Sequence, residues 1–377
     1  MTSTATTGLD RVPAPHLGSV TTTWPRNAWY VAAMPHEIAE KPLGRQICGQ
    51  RMVIFRTEAG ELSALEDFCP HRGAPLSLGF VRGEEIVCGY HGLALTCRGK
   101  AHDMPGQRVN GFPAIRAFPV LERYGFIWVW PGDPDKADVA ELHHLPWAES
   151  DDWAYGGGLY HIKCDYRLMV DNLMDLTHET YVHAGSIGQK EIDEAPVRTR
   201  VEGEEIITSR TMEGIKAPPF WQMALRGAGL PGDATVDRWQ VCRFTLPSHV
   251  MIEVGVALEG HGGIDAPDDR KAASIVVDFI TPETETSHWY FWGMARQFAV
   301  ADAALTDTIR EGQGKIFGED LDMLEQQQRN LLDHPGRRLL KLNIDAGGAR
   351  SRLLIDRAIA REQAVAEDVA SDAAVPA

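Results

Sequence analysis

The chain has 377 residues, of which 44% are hydrophobic and 24% charged, with a formal net charge of −16 and six cysteines. This length predicts two or three folded units of ordinary composition, and no apolar run approaches the roughly 18 residues that span a membrane. The acidic balance argues against a nucleic-acid or anionic-lipid partner, which needs a basic face, and six cysteines in so long a chain do not make a disulfide framework.

Residues 1–22 are rich in Thr, Ser, Pro and Ala and lack the basic start and apolar stretch of a signal peptide. They read as a disordered lead-in to a cytoplasmic protein. From 23 to 135 come short apolar and aromatic runs divided by Gly and Pro: Trp29–Ala33, Met52–Arg56, Leu62–Leu65, Phe118–Leu121 and Gly125–Trp130. These predict a small all-β unit. Pro131–Asp135 breaks the pattern, and a mixed, charged connection runs to about residue 152. Over 150–377 the pattern changes. A strand is predicted at Leu159–Cys164, helix from 167 towards 183, and further strands at Ile206–Ser209, Trp239–Leu246, Val250–Val256, Ser274–Ile280 and Trp289–Gly293. Two helical patterns follow, near 300–333 and 350–367. The whole is an α+β chain, with a β unit first and an α+β unit second.

Two constellations carry chemistry. Cys69-Pro70-His71 and Cys88-Gly89-Tyr90-His91 each offer one thiolate and one imidazole on a short, Gly-containing loop. Zinc fingers usually pair Cys with Cys and His with His on separate elements. One of each per loop suits a Rieske 2Fe-2S cluster, in which one iron takes two Cys and the other two His. A structural zinc site is the alternative. The other cysteines, Cys48, Cys97, Cys164 and Cys242, read as small buried hydrophobes.

The second constellation is Asn172-x2-Asp175-x2-His178-x4-His183. On a helix Asn172, Asp175 and His178 share one face, whereas His178 and His183 lie about 140° apart. For both to bind one metal the helix must widen to a π-like turn or end. Two His and a carboxylate make the facial site of a non-heme iron that activates O2. The third ligand is sought on Ile316–Leu332, an amphipathic helix on which Asp320 falls about 40° from Ile316, inside the apolar stripe, and Asp322 about 240° away, outside it. Asp320 is therefore preferred, because a carboxylate in a buried stripe needs a partner. Asp175, one turn before His178, is better placed to bind that ligand's second ring nitrogen than the metal.

With these motifs the chain resembles the Rieske non-heme iron aromatic-ring oxygenases, chiefly through Trp24–Gly49, Asp67–Gly83, Asp171–Pro196, Gly318–Leu332 and Leu339–Gly348. The resemblance implies a Rieske domain followed by a helix-grip catalytic domain. It implies a cluster on Cys69, His71, Cys88 and His91, and a mononuclear Fe(II) on His178, His183 and Asp320. It makes Asp175 the carboxylate that bridges the two centres, with Asn172 beside it, and Gln240 a substrate contact at a position where a related demethylase has Asn. It further implies a head-to-tail homotrimer and a separate reductase that holds the flavin and takes electrons from NADH. The nearest resemblance is to aryl methyl-ether demethylases, with vanillate as the aromatic acid substrate; another aryl ether or a substituted benzoate is the alternative.

Overall fold

The structure is a computed structural model that describes residues 24–373 apart from 40, 185, 186 and 189. The lead-in expected over 1–22 lies outside the described residues. The first part carries ten short strands: β1 (Tyr30–Ala33), β2 (Leu43–Ile47), β3 (Gln50–Arg56), β4 (Leu62–Glu66), β5 (Phe80–Arg82), β6 (Glu85–Val87), β7 (Ala94–Thr96), β8 (Ala101–Asp103), β9 (Val120–Arg123) and β10 (Phe126–Val129). They form three antiparallel sheets in the orders β1-β10-β9, β2-β3-β4 and β5-β6-β7-β8. The strands read from sequence are the apolar ones. Three-residue strands such as β5 and β7 hold too few residues to show a period-2 pattern. The β9–β10 hairpin turns at Tyr124 and Gly125, both at positive φ (60° and 78°), the twist that two-residue hairpins need.

The connection between the parts is no solvated linker. Leu142, Leu145 and Trp147 are buried in one cluster with Phe126, Trp128, Phe279 and Phe291, and Trp147 stacks on Tyr155.

The second part contains β11 (Ala154–Ile162), α1 (Tyr166–Leu173), α2 (Glu179–Val182), α3 (Lys190–Glu194), β12 (Arg198–Glu202), β13 (Glu205–Lys216), α4 (Pro219–Gly227), β14 (Thr235–Thr245), β15 (His249–Leu258), β16 (Lys271–Thr284), β17 (Ser287–Arg296), α5 (Ala303–Asp333) and α6 (Ala346–Ala373). Its seven strands form one antiparallel sheet, ordered β11-β17-β16-β15-β14-β13-β12. Strand β11 begins earlier than predicted because it runs through Gly156–Gly158, a composition that disfavours strands. Here the glycines are required by close approach: a Cβ on Gly157 would lie 2.2 Å from the Trp292 carbonyl oxygen.

One face of this sheet meets the helices. Along α5 the buried residues are Ile309, Gly314, Phe317, Asp320, Leu324 and Gln328, a stripe at helical spacing. Val276, Ile280, Tyr290 and Trp292 join Phe317 and Leu324 in a core that also takes in Tyr30, Ala32, Ile54 and Val129 of the first part. The two parts thus share core. Thr281 Oγ1 donates to the Val31 carbonyl at 2.6 Å, and the Cys48 N–H to that of Pro282 at 2.8 Å.

Candidate metal centres

The Cys-His loops close in the same way. Cys69 accepts from the Gly73 N–H at 2.8 Å and donates to the Ala74 carbonyl at 2.8 Å; Cys88 accepts from Gly92 at 3.0 Å and donates to Leu93 at 2.8 Å. Gly73 and Gly92 both have positive φ (68° and 78°), which a side chain would strain. The cysteines are buried and the histidines exposed. Burial first, and then the neighbouring Cys88, push the Cys69 thiol up. The His71 and His91 rings stand edge to face with centroids 4.5 Å apart. The four side chains therefore meet as a Cys pair inside and a His pair outside. Among the described residues, only His178, His183 and Asp320 bring three donors of this kind within 4.8 Å of one another. Two separate pairs fit a binuclear cluster and not a tetrahedral zinc, on which all four donors would converge. Of the other cysteines, Cys48, Cys164 and Cys242 are buried as expected; Cys97 is only half-buried.

The second constellation rests on a broken helix. The Asp165 side chain caps α1 by accepting from the Arg167 N–H, and α1 ends at Leu173, with Met174 at φ −90° and ψ 0°. Asp175 Oδ1 then accepts from both the N–H and the hydroxyl of Thr177 at 2.7 Å, a local turn that competes with helix. The single face expected for Asn172, Asp175 and His178 is thus divided: Asn172 is in the last turn of α1, Asp175 follows its end, and His178 caps α2. His183 lies just past the end of α2. Of the two geometries allowed for the His pair, the helix ends.

Helices α5 and α6 hold this segment. Gln328 accepts from the Asp165 N–H at 2.8 Å, and Arg352 makes a two-pronged pair with Asp171 at 2.6–2.9 Å. Asp320 is 3% exposed and Asp322 is exposed, so the choice made from helix phase matches the burial. His178 Nε2 stands 3.7 Å from Asp320 Oδ1, and His183 Nε2 stands 3.3 Å from Asp320 Oδ2. Asn172 Nδ2 donates to Asp320 Oδ1 at 3.0 Å.

Each histidine has a carboxylate behind it. Asp175 Oδ2 lies 3.6 Å from His178 Nδ1, and Glu319 Oε2 lies 2.7 Å from His183 Nδ1. Glu319 was missed from sequence; its only signal is that it precedes Asp320 on the helix. Burial alone would lower His183, but Asp320 and Glu319 outweigh it and raise its pKa. Burial would raise Asp175, and His178 and Thr177 reverse that. The pocket thus favours added positive charge, and both Nε2 atoms lie near the Asp320 carboxylate. These residues fit a divalent metal with its ligands oriented from behind.

Gln240, the expected substrate contact, lies on β14. It is buried; its Oε1 accepts from Arg210 Nε at 2.6 Å and its Nε2 donates to Glu179 Oε1 at 2.8 Å. Arg210 also pairs with Glu179 at 2.8 Å and donates to the Leu176 carbonyl at 2.6 Å. Leu176 and Glu179 flank His178, so this group clamps the histidine segment to the sheet. Sequence reasoning missed Arg210 and Glu179, since nothing local marks them. Nearby, burial lowers Arg238 to about 10.

The chain matches the family model of the vanillate O-demethylase oxygenase C-terminal domain over residues 162–361 and that of the Rieske [2Fe-2S] domain over 28–119. It is 69% identical over 344 residues to a vanillate O-demethylase oxygenase subunit of a Pseudomonas strain, covering 91% of this chain and 97% of that one.

The chain belongs to the vanillate O-demethylase oxygenase family.

This oxygenase is 70% identical over 318 residues to a second Pseudomonas protein of the same description, over 84% of this chain and 97% of that one. Its fold matches the crystal structure of dicamba monooxygenase bound to 3,6-dichlorosalicylic acid, with a TM-score of 0.83, 34% identity, and 91% of this chain and 99% of that chain covered. It is a Rieske-type non-heme iron monooxygenase with a 2Fe-2S cluster and a mononuclear iron. Among the described residues, no helix is long and apolar enough to cross a membrane.

Proposed function

We propose that this chain is the oxygenase component that O-demethylates vanillate to protocatechuate and formaldehyde, with O2 and with electrons passed from NADH by a separate flavin-bearing reductase. The observation that carries the reaction is the convergence of His178, His183 and Asp320 in a chain that also presents paired Cys and His loops. Identity of 69–70% along nearly the whole length of two relatives supports vanillate as the substrate.

In this reading Cys69, His71, Cys88 and His91 hold the cluster, and His178, His183 and Asp320 hold the iron. When bound, such an iron supplies an oxidant, made from O2 and electrons, that attacks a methoxy C–H bond. The chain's own residues do the rest. Asp320 keeps its carboxylate in place through Asn172. Glu319 fixes the ring orientation and tautomer of His183, and Asp175 places a negative charge 3.6 Å behind His178 Nδ1. Arg210, Gln240 and Glu179 hold the segment between them, so Gln240 serves the protein and not the substrate.

A homotrimer, in which Asp175 links the iron site to a neighbour's cluster, belongs to this reading. It is supported by the exposed His71 and His91 and by Phe68, Leu78, Phe80 and Tyr90, which are exposed on the cluster loops and the strand between them. So do a cluster domain over 23–135 and a catalytic domain over 150–377. A cytoplasmic location is supported by Cys48, Cys97, Cys164 and Cys242, which remain thiols outside any disulfide.

The test is turnover with vanillate, NADH and a matched reductase. One formaldehyde per NADH is expected. Consumption of NADH and O2 with no formaldehyde would refute the demethylase reading.

A further inference from the structure

Two adjacent glycines stand in the first turn of α6, although glycine disfavours helix. Close approach to α1 explains them. A Cβ on Gly348 would lie 2.5 Å from Asp171 Oδ1 and 3.1 Å from the Asp171 Cα. A Cβ on Gly347 would lie 2.6 Å from the Met174 carbonyl oxygen and 2.4 Å from Thr208 Oγ1. Asp171 and Met174 bracket Asn172, which donates to Asp320 Oδ1 at 3.0 Å. The start of α6 is therefore seated on the turn of α1 that reaches the candidate iron ligand.

Two ion pairs fix where along α1 it sits. Arg352 grips both oxygens of Asp171 at 2.6–2.9 Å, and Arg167 pairs with Asp356 at 2.9 Å. The later residue of α1 meets the earlier one of α6, so the helices run antiparallel. In each helix the two charged positions are four residues, about one turn, apart. Each helix offers Arg first and Asp second. A slip of one turn, about 5.4 Å, would set Arg167 against Arg352 or Asp171 against Asp356, according to its direction. Arg167 and Arg352 are 2% and 7% exposed, so like charges there would meet with little solvent to screen them. The register of the structure pairs opposite charges at both positions.

We propose that α6 is the positioning helix of the iron site. Gly347 and Gly348 set the depth of its contact with α1, Arg352 and Asp356 set its register, and together they place Asn172 against Asp320. This rests on the assignment of the iron to His178, His183 and Asp320 and deepens it. Asp320 is carried by α5, so the hydrogen bond from Asn172 is where the position of α1 is felt. The four α6 residues act through Asp171, Met174 and Arg167, as positioning residues. The Arg210 group holds the segment after Met174, and α6 holds the segment before it.

The test is calorimetric titration with Co2+ of the enzyme with its cluster loaded and its iron site emptied, since sites of nitrogen and oxygen ligands that take Fe2+ also take Co2+. EPR of the bound Co2+ reports the geometry of that site, because the oxidised cluster is EPR-silent. Gly348→Ala forces a Cβ against Asp171, and Asp356→Arg sets a like charge beside Arg167. Each should weaken Co2+ binding by about tenfold or more, the usual loss when groups behind the ligands are disturbed, and should change its EPR spectrum. Arg352→Gln should do the same, with Arg352→Lys, which keeps the charge, falling between it and wild type. Wild-type Co2+ affinity and spectrum in Gly348→Ala and Asp356→Arg would overturn the proposal. So would variants that lose resistance to urea and nothing else. Asp320→Ala checks the site separately. If it binds Co2+ as tightly as wild type, the iron assignment falls; if it loses Co2+ while the α6 variants do not, the positioning role alone falls.

Discussion

The two carboxylate oxygens of Asp175 face different partners. Oδ1 closes the turn that stops α1 by accepting twice from Thr177, and Oδ2 faces His178. An amide in its place keeps an oxygen for the turn and loses the negative charge behind the imidazole. We therefore expect Asp175→Asn to retain both metals, measured by iron content and cluster spectrum, and to lose most turnover coupled to product. Near-normal coupled activity would refute the bridging role. The candidate ligands were legible at this scale. Cys69, His71, Cys88 and His91 lie in two short loops whose Gly and Pro neighbours announce a tight backbone. Asp320 was legible because helix phase alone separates a buried position from an exposed one. Glu319 was not, because its partner His183 lies 136 residues away and a half-exposed Glu on a helix usually reads as a solvated charge.

Among the elements, α2 is a single turn that cannot hold itself in place, since one turn of helix is unstable alone. What holds it is the Arg210–Gln240–Glu179 group, which reaches from β13 and β14 to the backbone of Leu176. Arg210 and Glu179 are 2% and 5% exposed. Breaking a buried ion pair from one side costs about 3–5 kcal/mol, because the remaining charge stays buried and unpaired. Arg210→Met should lower the urea midpoint accordingly and reduce iron content at the second site, while the cluster spectrum persists. Adding Glu179→Gln should recover part of the stability. Wild-type iron content and stability in the single variant would refute the clamp. The resemblance pointed to Gln240 as a pocket residue because it matches positions between chains, and a matched position does not tell which neighbour takes the amide.

Across the whole molecule, the first part and the catalytic sheet share apolar core instead of touching through a thin interface. Trp128 packs edge to face on Phe279 and on His249, with centroids 5.2 and 5.8 Å apart. Burial, and then the nearby His143, lower His249 from 6.5 to about 3, so it is neutral in the fold. Between these values the unfolded chain binds more protons than the folded one, and stability therefore falls as pH drops from about 6.5 towards 3. Denaturation in this window should bleach the cluster and unfold the catalytic sheet in one transition, and His249→Gln should make the loss less steep. Two separated transitions would show that the shared core does not couple the parts.

The sequence by itself determined the chemistry: two Cys-His loops, a histidine pair with an aspartate nearby, and one carboxylate in an apolar helical stripe. These follow from spacing and periodicity, which act over a few residues and can be read along the chain. Only the tertiary structure decided that α1 stops before the histidines, that Glu319 stands behind His183, and that Gln240 is turned inward to a clamp. Each of these depends on which strand or helix lies opposite. That choice is made by packing between residues far apart in the chain, whose separation hides them from any local pattern.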